Sequence, residues 1–180
     1  MLSAPSLSYM LLSPMLVIFA AAVIGVLIEA FLGKKHRAAV QLTVSLGGLF
    51  LALLQLWQIR DMSSNSAAVN SVTIDKAGIF LQFTIVFLAI AAVLLIADQE
   101  NFVAQASAVP GSPEEKIAIQ QKATQTEIFP LFLFATAGMM LFTVATDLIT
   151  LFVALEVFSL PLYLLAGYYR DWETDRKSVV

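Results

Sequence analysis

Long apolar runs constrain this chain more than any other feature. An α-helix rises about 1.5 Å per residue, so about 20 apolar residues cross the hydrocarbon core of a bilayer. Five stretches qualify: Pro14–Leu32, Ala38–Ile59, Gly78–Ala97, Ile128–Thr146 and Leu148–Tyr169. The charges that a water-soluble surface would need are missing. Of 180 residues, 59% are hydrophobic and 13% charged, and the mean hydropathy is +0.86. Backbone in lipid must satisfy its own hydrogen bonds, which a helix does within one segment. The chain is therefore expected to be all-α, a polytopic transmembrane bundle of five helices. Gly25, Gly47, Gly48, Gly138 and Thr143 are small enough to let those helices approach closely.

The same composition narrows the chemistry. A net charge of −3 gives no basic surface for nucleic acid. Cysteine is absent, which removes disulfides, thiolate metal sites and iron–sulfur clusters together. The single histidine, His36, falls in the basic cluster KKHR and reads as a solvated loop residue. No cofactor is expected in this chain; the lipid bilayer is its first partner.

Basic residues set the expected orientation. Met1 to Ile28 carries no charge and the basic cluster follows it, the reverse of a cleavable signal. Lys34, Lys35 and Arg37 place the first loop in the cytoplasm, with the N-terminus outside. The Ser/Asn-rich loop Arg60–Ala77 is then external, the loop 98–127 with Lys116 and Lys122 internal, and Arg170 internal. Within that inner loop, Ser112-Pro-Glu-Glu115 has the form of a capping box with proline at the first helical position. It predicts a short interfacial helix over 113–126. Pro130 marks a kink in the fourth span or its true start. Asp147 is essentially the whole connection between the fourth and fifth spans, which must then be antiparallel neighbours.

Glu156 lies near the middle of LITLFVALEVFSLPLYLLAGYY, where it is the only charge. A carboxylate at that depth costs several kcal/mol unless protonated, paired or facing water, and such residues are functional by default. Ser159 and Tyr163, three and seven residues on, share its helix face. Pro161 removes the hydrogen bond to the Val157 carbonyl, leaving an oxygen for a side chain or a water. A carboxyl so placed either loads and releases a proton as neighbouring charge moves, or stays protonated as inter-helix glue. Glu29 stands a turn from the basic cluster and is expected to snorkel and pair with Lys34. Asp147 suits the N-terminus of the fifth helix as a cap, and Glu127 that of the fourth. Gln41, Thr43, Gln55, Gln82 and Thr84 are scattered polar groups that either bridge waters or join helices.

The segment TEIFPLFLFATAGMMLFTVATDLITLFVALEVFSLPLYLLAGYYR (Thr126–Arg170) resembles the membrane-arm subunit N of bacterial NADH-quinone oxidoreductase, respiratory complex I. Its specific part is DLITLFVALEVFSLPLYLLAG; upstream, VIGVLIEAF and FVAQASAVPGSPEE are also similar. The likeness covers about residues 10–170. It implies an antiporter-like, proton-translocating subunit of roughly fourteen helices in two inverted bundles. Glu156 matches the family's fifth-span glutamate, which would pair with a lysine on a seventh helix; Ser159 and Tyr163 match motif positions. NADH, FMN, iron–sulfur clusters and quinone would belong to other subunits. Other membrane-arm subunits would be the partners, and the location a multi-pass one in the cell's inner (plasma) membrane.

The resemblance also implies departures. Residues 1–170 correspond to the N-terminal five-helix part, so the seventh helix and the second bundle are not in this sequence. DWETDRKSVV does not continue the family pattern and its final DRKSVV resembles the start of a translated sequencing adapter, so 171–180 is expected to be a non-native tail and the fragment inactive alone. Two other readings stand beside the complex I one: a subunit of a multi-subunit sodium/proton antiporter, and a structural membrane segment without transport.

Overall fold

The computed structural model of the chain describes residues 8–61, 65–68, 71–97 and 126–177. The inner-loop helix expected over 113–126, with its Ser112–Glu115 capping box, lies outside the described residues apart from Thr126. Among the described residues five helices form a bundle: α1 Tyr9–Phe31, α2 Lys34–Ile59, α3 Lys76–Ala97, α4 Ile128–Phe142 and α5 Leu148–Lys177. Four of them contain apolar stretches of 20 to 24 residues, long enough to cross a membrane; α4 is a shorter apolar helix. The exterior carries many large apolar side chains, with Phe31, Phe80, Phe87 and Leu148 all more than 65% exposed. A soluble protein could not keep such a surface in water. The fold is a helical membrane bundle.

The helices begin and end for local reasons. α1 starts five residues before Pro14, which therefore lies inside it. Proline has no N–H to offer the carbonyl four residues back. That carbonyl, on Met10, accepts the Ser13 hydroxyl at 2.8 Å instead. Pro130 stands third in α4, in the first turn, where a missing N–H is harmless. The Thr126 carbonyl accepts from Phe129 N at 3.2 Å.

α4 is the central helix, packed against all four others. Phe129, Pro130, Leu133, Ala135, Thr136, Ala137, Gly138 and Met140 are all buried. Close approaches rest on small residues. A Cβ on Gly48 would meet the Ala21 Cβ at 2.6 Å, and one on Gly138 would lie 2.6 Å from the Phe158 nitrogen. Gly47 faces open space.

The link between α4 and α5 is longer than the sequence suggests. α4 stops at Phe142, not Thr146, and residues 143–147 turn the chain. The reason is a small hairpin in the loop after α2, β1 Asn65–Ala67 paired antiparallel with β2 Val72–Ile74. Thr73 N donates to the Val144 carbonyl and Thr146 N to the Ser71 carbonyl, each at 3.0 Å. Those bonds make the α4–α5 turn a third edge of the hairpin and replace the last helical turn.

Candidate functional site

Three acidic residues singled out by the sequence sit in three separate places. Glu29 is at the end of α1, beside the start of α4. Asp147 follows the far end of α4, a helix of about 22 Å at about 1.5 Å per residue. Glu156 lies about 13 Å further along α5 by the same rise.

Among the described side chains, the partner of Glu29 is Arg37. Only Leu32 and Gly33 separate α1 from α2, so the first turn of α2 folds back on the last turn of α1. Arg37 Nη1 lies 2.6 Å from Glu29 Oε1. The same guanidinium donates from Nε (3.1 Å) and Nη2 (2.8 Å) to the Leu32 carbonyl, in the last turn's reach where α1 leaves carbonyls without helical partners. The pair is mostly sheltered, with side chains 20% and 16% exposed. Gln41 Nε2 donates to Glu29 Oε2 at 3.1 Å. The Thr126 hydroxyl reaches both carboxylate oxygens. Neither Arg37 nor Thr126 carries a local signal as a ligand of Glu29, and Thr126 is 97 residues away in the chain.

Gln41 is fully buried and its amide orientation is fixed. Nε2 donates also to the Gly25 carbonyl at 2.8 Å, and both partners are acceptors, so the nitrogen must face them. Its Oε1 lies against Gly25, where a Cβ would come within 3.0 Å of it and of Pro130 Cβ. Glycine is needed at 25 for α1, α2 and α4 to meet. The other polar groups divide cleanly. Gln82 Nε2 donates to the Met140 carbonyl at 3.4 Å, joining α3 to α4. Thr43 and Thr84 donate back to carbonyls of their own helices, Ala39 and Phe80. Four buried oxygens have no partner among the described residues: Gln41 Oε1, Ser45 Oγ, Gln55 Oε1 and Gln82 Oε1.

Asp147 caps α5. Its Oδ1 accepts Thr150 N at 2.7 Å and its Oδ2 the Thr150 hydroxyl at 2.8 Å. These two bonds, the backbone one first, hold its carboxyl below the ordinary value against the opposing effect of burial, and a bond from the Ser71 side chain adds a lesser push in the same direction. Glu127 occupies the N-cap position of α4 without a side-chain cap bond.

Glu156 is partly buried in α5. Ala154, Phe158 and Pro161 form the stripe that packs on α4: Phe158 meets Gly138, its ring stands edge-on to Phe142 at 5.7 Å, and Ala154 and Pro161 are buried. At about 100° per residue Glu156 points about 200° round from Ala154, away from that stripe. Ser159 is partly buried beside it and Tyr163 is 72% exposed on the same side. Glu156 makes no hydrogen bond or ion pair among the described residues. α5 thus turns its one mid-span carboxyl outward from the five-helix bundle, along with a hydroxyl and a phenol. Among the described residues, no group of three or more His, Asp or Glu gathers to hold a metal.

No family model matches the chain. Individual relatives do. A protein of Acidothermus cellulolyticus named NADH-quinone oxidoreductase subunit N is 48% identical over 172 residues, which is 93% of this chain. The chain is homologous to NADH-quinone oxidoreductase subunit N. Subunit N of Thermobifida fusca is 44% identical over 93% of the chain, and that of Mycobacterium tuberculosis 41% over 94%. The chain spans about a third of the length of these curated relatives, 33%, 32% and 36% respectively.

Proposed function

We propose that this chain is part of a proton-translocating membrane subunit of NADH-quinone oxidoreductase, with Glu156 as the group that takes up and releases the proton. One observation carries the reading: a lone carboxyl in mid-span on the face of α5 turned away from the rest of the bundle. A carboxyl there is too expensive to keep in lipid, so that face meets further protein or water. The relatives' extra length supplies protein to cover it, including a cationic group to pair with the carboxyl. Movement of that cation tips the balance between burial, which favours the neutral acid, and pairing, which favours the carboxylate. Pro161 leaves the Val157 carbonyl without its helical donor one turn away, and Ser159 adds a hydroxyl; both suit a water beside the acid.

Redox chemistry belongs elsewhere in this account. NADH, FMN, iron–sulfur clusters and quinone are held by other subunits, and this chain contacts other membrane-arm subunits in the cell's inner membrane, its N-terminus outside. The glue alternative, a permanently protonated Glu156, predicts no loss of transport when the acid is replaced by its amide. The test is Glu156→Gln in the full-length subunit, assembled in the complex, with NADH-driven proton pumping read in inverted vesicles. Pumping that falls well below wild type supports the reading; pumping unchanged at normal assembly contradicts it.

A further inference from the structure

The exposed side of the α2–α3 pair carries a groove unconnected with Glu156. It is lined by Leu53 of α2 and by Phe83, Thr84 and Phe87 of α3, with a volume of about 300 Å³. Its one polar atom is already satisfied, because the Thr84 hydroxyl donates to the Phe80 carbonyl at 3.0 Å. Nothing in the groove asks for water. A volume near the low end of the roughly 300–1,000 Å³ of small-molecule sites suits a slender apolar group.

What lies above the groove gives the occupant its other end. Arg60 is seven residues beyond Leu53 and keeps helical geometry as the C-cap of α2. Lys76, the first residue of α3, is seven residues before Phe83. Seven residues are close to two helical turns, so each cation stands on the groove's own face, about 10 Å along the axis from its lining. Because the groove joins residues at equal distance from the two helix ends, Arg60 and Lys76 lie at one level. Trp57, one turn beyond Leu53, fills the interval on α2, with the Arg60 guanidinium 3.7 Å over its ring. Tryptophan and arginine at a span's end mark the headgroup layer.

The two cations are available. Asp61 takes only the Arg60 Nε, at 3.1 Å, leaving both terminal nitrogens without a protein partner among the described residues. Asp75, next to Lys76, spends one oxygen on Gly78 N at 2.6 Å. Lys76 is exposed and forms no ion pair among the described residues. An apolar slot with two donors about 10 Å above it matches a phosphate ester carrying a hydrocarbon chain.

We propose that the α2–α3 groove is a phospholipid site, with one acyl chain against Leu53, Phe83 and Phe87 and the phosphate between Arg60 and Lys76. Unlike the lipid that merely surrounds a membrane protein, this molecule stays ordered and survives purification. The test uses the assembled complex containing the full-length subunit, in nanodiscs of phosphatidylglycerol with dibrominated chains, imaged by electron cryomicroscopy. The expected result is bromine-enhanced density against Phe83 and Phe87, continuous with phosphate density at Arg60 and Lys76. In the Arg60→Gln/Lys76→Gln variant the phosphate density is lost, and mass spectrometry of the detergent-washed complex finds one phospholipid fewer. A protein helix lying in the groove, or chain density no stronger than in the surrounding lipid, overturns the proposal. So does unchanged lipid retention in the variant.

Discussion

The Thr126 hydroxyl lies 3.0 Å from Glu29 Oε1 and 2.9 Å from Glu29 Oε2, bridging residues 97 positions apart. It joins the end of α1 to the entry of α4, the helix every other helix packs on. Replacing Thr126 by Val keeps the shape and removes the donor. The expected loss is about 1–2 kcal/mol, between values for membrane hydrogen bonds and for bonds to charged groups. Unfolding in detergent of the full-length protein measures it. The double variant with Glu29→Gln should be less destabilised than the two single losses summed, because they share one bond.

Arg37 should matter more than its place in a basic cluster implies. Arg37→Ala removes the guanidinium from the Glu29 carboxylate, leaving it the Gln41 and Thr126 donors, and takes both donors from the Leu32 carbonyl. Breaking a buried ion pair costs about 3–5 kcal/mol, and partial exposure here reduces that to about 2–3. Arg37→Lys should recover less than half of the loss, since an ammonium cannot reproduce the fork that spans the carboxylate and the carbonyl. Equal stability of the Lys variant and wild type would show that charge alone matters at this corner.

Two glycines in contrasting surroundings, one on α4 and one on α2, predict opposite outcomes. Gly138→Ala pushes a methyl within 2.6 to 3.0 Å of Phe158 backbone and Cβ atoms, which cannot swing aside. Overpacking of that kind costs about 1–3 kcal/mol. Gly47→Ala meets nothing within 4 Å and should be neutral or stabilising by up to about 1 kcal/mol, from helix propensity. Melting midpoints of the two variants, compared in the same detergent, separate them.

Asp147 makes stability depend on pH in one direction. Its folded pKa is depressed below 3.8, chiefly by the bond from Thr150 N. The unfolded chain therefore binds its proton first, so the contribution is full above the unfolded value and fades as pH falls through the folded one. Asp147→Asn keeps an acceptor and removes the titration. The stability difference between wild type and this variant should shrink as the medium is acidified below about pH 4, and stay level from neutral pH down to about 5. A difference constant across the whole acid range would refute the cap as the cause.

The bundle itself is legible in the sequence because apolar runs of spanning length leave few alternatives. Pro14, Pro130 and the small residues at 25, 48 and 138 take their places by local rules. The α4–α5 turn is less legible, since its form depends on backbone bonds from Ser71 and Thr73 rather than on its own composition. Glu29 was expected to obey proximity to Lys34. The two-residue link also folds Arg37 back onto it, and Thr126 arrives from a distant segment that no periodicity reveals. Glu156 was legible as an anomaly, a charge in an apolar run. The side of α5 it occupies depends on which stripe packs on α4, which Gly138 and Phe158 decide.

The central claim is that the Glu156 carboxyl changes protonation during turnover. Isotope-edited infrared difference spectra of the intact complex, with glutamate labelled at its carboxyl carbon, follow that group directly. The account predicts a carboxylic-acid carbonyl band that appears or disappears on reduction by NADH and is missing from the Glu156→Gln complex. Difference spectra that superimpose for wild type and variant, at equal assembly, would contradict it.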